Sequence, residues 1–291
     1  MKAPALTVRD TRLHAFRPDL ADARLQGEVV AERFVAGTPA RLAVPVADVL
    51  KTPAVGAGID TQFLYGDDVL VFEAAAGFAW VQAERDGYVG YVRESDLAGR
   101  DGQPTHIVSV PRTFLYPGPD LRFPRAGQLS MGSTVTVTGA AETRGTQYVV
   151  LASGQALIAK HLMPVVDRAA DYVAVAETFL GTPYLWGGAS GFGIDCSGLV
   201  QLAMRMTGRD VLRDSDMQAE GLGAPLDPGA DFSGLRRGDL VFWKGHVAIM
   251  TDAENMIHAN GHTMLVSREG LREAIDRIGY LYGVPTGFRR P

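Results

Sequence analysis

The sequence predicts an α+β protein in which small β units precede a domain of helices and antiparallel sheet. Short apolar–polar alternations crowd the middle of the chain, and a helical repeat replaces them after Asp167. Compact apolar runs follow that repeat. At 291 residues the chain is long enough for two or three domains with a sizeable core.

Residues 1–53 are rich in Ala, Pro and Arg and read as an N-terminal arm, partly helical. Asp19, after Pro18, would cap a helix reaching Phe34, with Leu20, Ala23 and Leu25 loosely on one face. The runs "DVLVFE", "FAWVQAE", "GYVGYV", "STVTVTG", "QYVVLA" and "ALIAK" then alternate with period two between Gly- and Asp-rich turns, the pattern of small barrels or sandwiches. A weak internal repeat divides them. "LYGDDVLVFEAAAGFAWVQAERDGYVGYVRESDL" runs parallel to "LSMGSTVTVTGAAETRGTQYVVLASGQALIAKHL", matching Gly66 with Gly132 and Leu97 with Leu162. This predicts two β-barrels, at 54–102 and 103–166, with "YPGPD" as a turn inside the second.

From 167 to 291 the pattern is α+β. Tyr172, Val175, Ala176 and Phe179 share a helical face until Gly181 and Pro183 stop it. The turn "WGGASGFG" leads to Asp195 and Cys196, where Leu199, Val200, Ala203 and Met206 begin a second amphipathic helix. "GDLVFW", "HVAIM" and "NMIHA" are short strands, the last two divided by "TDAE".

A net charge of −5 and scattered arginines leave no basic face for phosphates, so nucleic acid is not an expected partner. No apolar run approaches the ~20 residues that cross a bilayer, and no membrane partner is expected. "MKAPALTVRD" lacks the apolar core of ~7–15 residues that an export signal needs, so a cytoplasmic protein is expected, with export by another route as the alternative. The single cysteine, Cys196, cannot form an internal disulfide.

At the first turn of a helix a thiol meets unsatisfied N–H groups and the positive end of the macrodipole, both of which favour thiolate. Its polar neighbours Asp195, Ser197 and Gly198 argue against the alternative, a small buried hydrophobe. Of the six histidines, His246, His258 and His262 lie in the α+β region. Adjacent strands would set His246 beside His258, so that Cys196 attacks, His246 moves the proton and His258 fixes its tautomer. His262 reads as a solvated turn residue. A Cys–His–His zinc site is the rival use of these atoms, but no short Cys/His spacing supports one.

With "GTPYLWGG", "DCSGLV", "RRGDLVFW" and "GHVAIM" in this order, residues 167–291 resemble the NlpC/P60 cysteine peptidases, papain-like enzymes acting on bacterial cell-wall stem peptides. The two preceding β units are similar to the bacterial SH3-type domains fused to such peptidases. With "RDSDMQ" at 213–218, the layout most resembles the γ-D-glutamyl-L-diamino acid endopeptidases. The resemblance implies Cys196, His246 and His258 as nucleophile, base and orienting residue, and no cofactor or metal. It implies a murein-derived peptide as substrate, with Tyr184, Asp195, Ser197 and Ser215 in substrate binding or transition-state support. Asp195 would meet a substrate ammonium and the serines the D-Glu α-carboxylate; helix capping is the alternative for Asp195 and Ser215. Tyr88 or Tyr91, and more weakly Asp60 or Asp67, would wall or pair the amine end of the cleft, against a reading of the tyrosines as core. The same thiol would also serve a secreted wall-remodelling hydrolase or an acyltransferase.

Overall fold

A computed structural model describes residues 9–291; the first eight residues of the expected arm, which include most of the segment read for an export signal, lie outside the described residues. The chain divides into two compact units, Met1–Gln103 and Pro104–Pro291.

The first unit is built on a seven-stranded antiparallel sheet. Its strands run in the order Ile59–Leu64, Val46–Leu50, Val89–Arg93, Phe78–Ala83, Asp68–Ala75, Thr38–Leu42, Leu97–Ala98. Leu42, Ala47, Val49, Phe63, Val69, Val81 and Val92 supply the core of this barrel, each at 1% exposure or less. Its start is therefore near residue 38 and not 54. Two prolines, Pro39 and Pro45, hide the alternation of this stretch, and only pairing with Asp68–Ala75 and Ile59–Leu64 reveals it as strand.

The helix expected over 19–34 does not form. Leu20–Asp22 is a strand paired in parallel with Arg33–Val35, and Asp22 caps a single 3₁₀ turn over Ala23–Leu25. Ala15 and Leu20 pack with Phe72, Trp80 and Val89, so burial against the barrel overrides a weak helical period. Arg17 lies over the Trp80 ring at 4.4 Å and donates to the Tyr91 hydroxyl at 2.9 Å.

The second unit begins with small sheets over His106–Pro164 that repeat the turns of the first. Gly66 (φ +85°) and Gly132 (φ +89°) each occupy left-handed backbone. Each donates to the strand before it, Gly66 to Leu42 at 2.9 Å and Gly132 to Val108 at 3.0 Å. A 3₁₀ turn then precedes the matched leucines in both copies, Glu94–Asp96 before Leu97 and Ala159–His161 before Leu162. Ser130 of this β region accepts from the Gly191 N–H at 2.9 Å and so braces the glycine-rich turn ahead of Cys196.

The rest is a layered α+β domain. Helices α1 (Tyr172–Glu177), α2 (Cys196–Met206) and α3 (Ser215–Gly221) precede a six-stranded antiparallel sheet. The strands order as Ala224–Pro225, Gly287–Arg290, Leu240–Trp243, His246–Met250, Asn255–Asn260, Leu265–Gly270. α2 packs on the two central strands that begin at His246 and Asn255. A fourth helix, α4 (Leu271–Tyr282), sets Leu271, Ala274 and Ile278 against Val241, Ala248, Met250 and Met256. No described helix is long and apolar enough to cross a membrane.

Alanine at Gly66 or at Gly132 forces a Cβ into left-handed backbone. Each substitution is expected to cost about 1–2 kcal/mol, read as a lowered denaturation midpoint; unchanged midpoints would refute the shared turn.

Candidate active site

The site is assembled around the first turn of α2. Asp195 is its N-cap: the carboxylate accepts from the Gly198 N–H at 2.7 Å, and α2 begins at Cys196. Only glycine fits at 198, since a Cβ there would lie 2.4 Å from the Gly188 carbonyl oxygen. The same carboxylate binds Arg213 through both oxygens, at 3.0 and 2.6 Å. Arg213 is 1% exposed and also donates to Ser197 Oγ at 2.8 Å and the Gly188 carbonyl at 3.2 Å. Gln218 of α3 donates to the Ser197 carbonyl at 3.0 Å. The "RDSDMQ" stretch thus acts through Arg213 and Gln218 to hold the first turn of α2.

Both side chains expected to bind substrate here already have partners within the fold. Asp195 is a cap and an ion-pair partner whose carboxylate is already engaged, not a free acid awaiting an ammonium. The Ser197 hydroxyl likewise accepts from Arg213 and donates to the Asp195 carboxylate at 3.3 Å.

A cavity of about 670 Å³ opens beside the turn, lined by Tyr184, Cys196, His246 and His258 together with Trp186 and Arg277 among others. Lys244, Asn260 and the exposed His262 also border it. Ser215, half-buried at the start of α3, is not among the lining residues. In the first unit Tyr88 is 3% exposed inside the barrel core, which corrects its reading as a ligand wall. The Tyr91 hydroxyl accepts from Arg17. Asp67 is buried and holds Arg85 at 2.9 Å and the Leu64 N–H at 2.9 Å, as a turn-fixing carboxylate. Asp60 sits in the strand Ile59–Leu64.

His246 opens its strand, as the sequence predicts, and its Nε2 lies 2.9 Å from His258 Nδ1 with the rings edge to face. Two imidazole nitrogens hydrogen-bonded to each other do not bracket a metal. With Nε2 so engaged, Nδ1 is the nitrogen His246 has left for the thiol.

The ionisation expected for Cys196 is reversed. Burial, followed by the adjacent Asp195 carboxylate, pushes the thiol up to about 12, against the opposing pull of Val247 and Ser197 N–H groups and of Arg213. Burial, then His258 and Arg277, pushes His246 down to about 3. Burial thus favours the neutral thiol and the neutral imidazole, a direction that suits proton transfer during attack.

Two neighbours that the sequence reading passed over complete the surroundings. Glu269 Oε2 is 3.2 Å from His258 Nε2, and Arg277 binds Glu269 at 2.8 and 2.5 Å. The α4 periodicity of Leu271, Ala274 and Ile278 places Arg277 one residue before an inward position, whereas Glu269, on the strand before α4, reaches His258 only through sheet register.

Comparison with known proteins agrees with this architecture. Residues 181–275 match the NlpC/P60 family model, and residues 49–97 match the model described as the bacterial dipeptidyl-peptidase Sh3 domain. The chain is 30% identical over 228 residues to the gamma-D-glutamyl-L-lysine dipeptidyl-peptidase of Bacillus subtilis, covering 69% of this chain and 72% of that protein. It is 25% identical over 267 residues to dipeptidyl-peptidase 6 of Lysinibacillus sphaericus, covering 81% and 97%. The crystal structure of an NlpC/P60 family protein from Bacillus cereus superposes with a TM-score of 0.70 at 24% identity, over 87% of this chain and 99% of that one, which shows a shared fold. Fold, helix-start cysteine, paired histidines and these likenesses converge: the chain belongs to the NlpC/P60 family of cysteine peptidases.

Proposed function

We propose that this peptidase hydrolyses the bond between D-Glu and the diamino acid in murein stem peptides that carry a free N-terminal L-Ala. The observation that carries the chemistry is the placement of Cys196, His246 and His258 around one cavity. The relatives' names carry the substrate class, since a dipeptidyl-peptidase counts its cut from a free N-terminus.

In this reading the Cys196 sulfur attacks the γ-carbonyl carbon of D-Glu while His246 Nδ1 takes the thiol proton. The Cys196 backbone N–H, at a helix start with no intrahelical acceptor, and the Tyr184 hydroxyl meet the developing oxyanion. Burial, Cys196 and Asp195 hold the Tyr184 hydroxyl up at about 12, so it stays a donor. The imidazolium then returns its proton to the leaving α-amine of the diamino acid, leaving a thioester on Cys196. Water, deprotonated by His246, cleaves the thioester and frees the peptide and the thiol. A role in recycling released peptides in the cytoplasm follows from the free-amine requirement, because an L-Ala amine still linked to the glycan is blocked. Recovery of the protein from the periplasm would refute recycling.

Cys196→Ala is expected to reduce turnover by at least about 10³-fold with an unchanged circular dichroism spectrum; retained activity would remove the nucleophile. N-acetylation of L-Ala-γ-D-Glu-diaminopimelate should lower kcat/KM by about 10²-fold, whereas equal rates for the two peptides would exclude amine recognition.

The raised thiol and lowered imidazole make a third prediction. The neutral thiol loses its proton only as pH climbs toward its elevated pKa, so iodoacetamide alkylation of Cys196 should accelerate roughly tenfold per pH unit between about 7 and 9. A rate flat over that range would indicate a preformed thiolate–imidazolium pair instead.

A further inference from the structure

We propose that Glu269, held by Arg277, is a positioning residue that selects the one tautomer of the His246–His258 pair able to accept the Cys196 proton. The proposal rests on the peptidase reading and goes beyond it to residues outside the Cys–His–His set.

Two neutral arrangements satisfy the 2.9 Å bond between His246 Nε2 and His258 Nδ1. If His258 donates from Nδ1, His246 must carry its own proton on Nδ1 and presents a donor to the thiol, which is inert. If His246 donates from Nε2, its Nδ1 is a bare lone pair and His258 carries its proton on Nε2. Only the second arrangement is a base.

Glu269 distinguishes the two. An ionised carboxylate accepts and never donates, so a bare His258 Nε2 at 3.2 Å from Glu269 Oε2 sets lone pairs against each other, while Nε2–H faces its acceptor. The contact is not aligned as a full hydrogen bond, and His258 Nε2 has no better-placed partner among the described residues, so this carboxylate is its only acceptor. The His258 side chain is fully buried.

Sheet register makes the contact. His258 lies opposite Ser267, and Glu269, two residues further along the neighbouring strand, shares that face. Arg277 reaches it from α4 with Nε and one Nη on separate carboxylate oxygens. Burial opposes ionisation of Glu269, yet the contact with His258 and the two bonds from Arg277 outweigh it and hold the carboxyl at about 2. Besides these, Tyr184, Cys196, Lys244, His262 and Tyr282 are the titratable side chains that share the cavity with the pair.

The bland alternative is that Glu269 and Arg277 only tie α4 to the sheet. Glu269→Gln separates the two, because its amide keeps the shape and can turn an N–H toward His258 Nε2. We expect this variant to fold with an unchanged melting temperature, to lose kcat about 10- to 100-fold with KM within about twofold, and to be partly rescued in Glu269→Asp. In the ¹⁵N-histidine spectrum of the full chain, His246 should be the Nε2–H tautomer in the wild type and shift toward Nδ1–H in Glu269→Gln. Arg277→Ala removes the cation that favours the Glu269 carboxylate and also holds His246 down, so both effects should move the acid limb of kcat upward. The spectrum needs no substrate: if the wild type proves inactive on murein peptides, the tautomer reading still decides the proposal. Unaltered tautomers in Glu269→Gln, or wild-type kcat in that folded variant, would overturn it.

Discussion

The buried pairing of Asp195 with Arg213 is the constraint on which the active site depends. One carboxylate closes the first turn of α2 through the Gly198 N–H and binds a guanidinium that is itself almost fully enclosed. Removing one member of such a pair strands the other charge in a dry interior, at a cost of about 3–5 kcal/mol. Arg213 also bonds Ser197 and Gly188, and Gln218 bonds the Ser197 carbonyl. The residues on either side of Cys196 are therefore fixed from several directions, and the position of the sulfur follows from theirs.

That enclosure sets the chemistry of the thiol. A helix N-terminus contributes typically ~0.3–1 kcal/mol toward an anion, and up to ~2 in a favourable buried geometry. Withdrawing a charge from water costs several kcal/mol. With Cys196 at 7% exposure and the Asp195 carboxylate beside it, desolvation wins, and the thiol is pushed up despite its place at the helix start. The imidazole opposite is pushed the other way by the same burial. Burial therefore works on both groups in the same sense, toward their uncharged forms.

The β units play unequal parts in this arrangement. The repeated turn at Gly66 and Gly132 shows that both copies solve the same local problem, a left-handed residue joining two strands. The second copy has acquired a further contact, Ser130 on the Gly191 N–H, inside the segment that delivers Cys196. It braces the catalytic loop through backbone and needs no ligand contact to matter.

Much of this was determined by sequence alone, wherever the signal is local. The α2 start at Cys196 is written in a capping acid followed by an apolar period, and the two histidines in strands joined by a short turn. The repeat was legible because glycine at a left-handed turn has no ready substitute. Tertiary structure decided the rest, for a common reason: each case turned on what lay across from a residue in space. Leu20–Asp22 became strand because Arg33–Val35 pairs with it, and Thr38–Leu42 joined the barrel through Asp68–Ala75. Asp195 became a structural acid because Arg213, eighteen residues away, occupies it. Glu269 reached His258 through sheet register, and the ionisation of Cys196 was decided by the amount of water its surroundings exclude. A local pattern specifies which side chains are present and how the backbone turns; desolvation and pairing depend on partners that only the folded chain brings together.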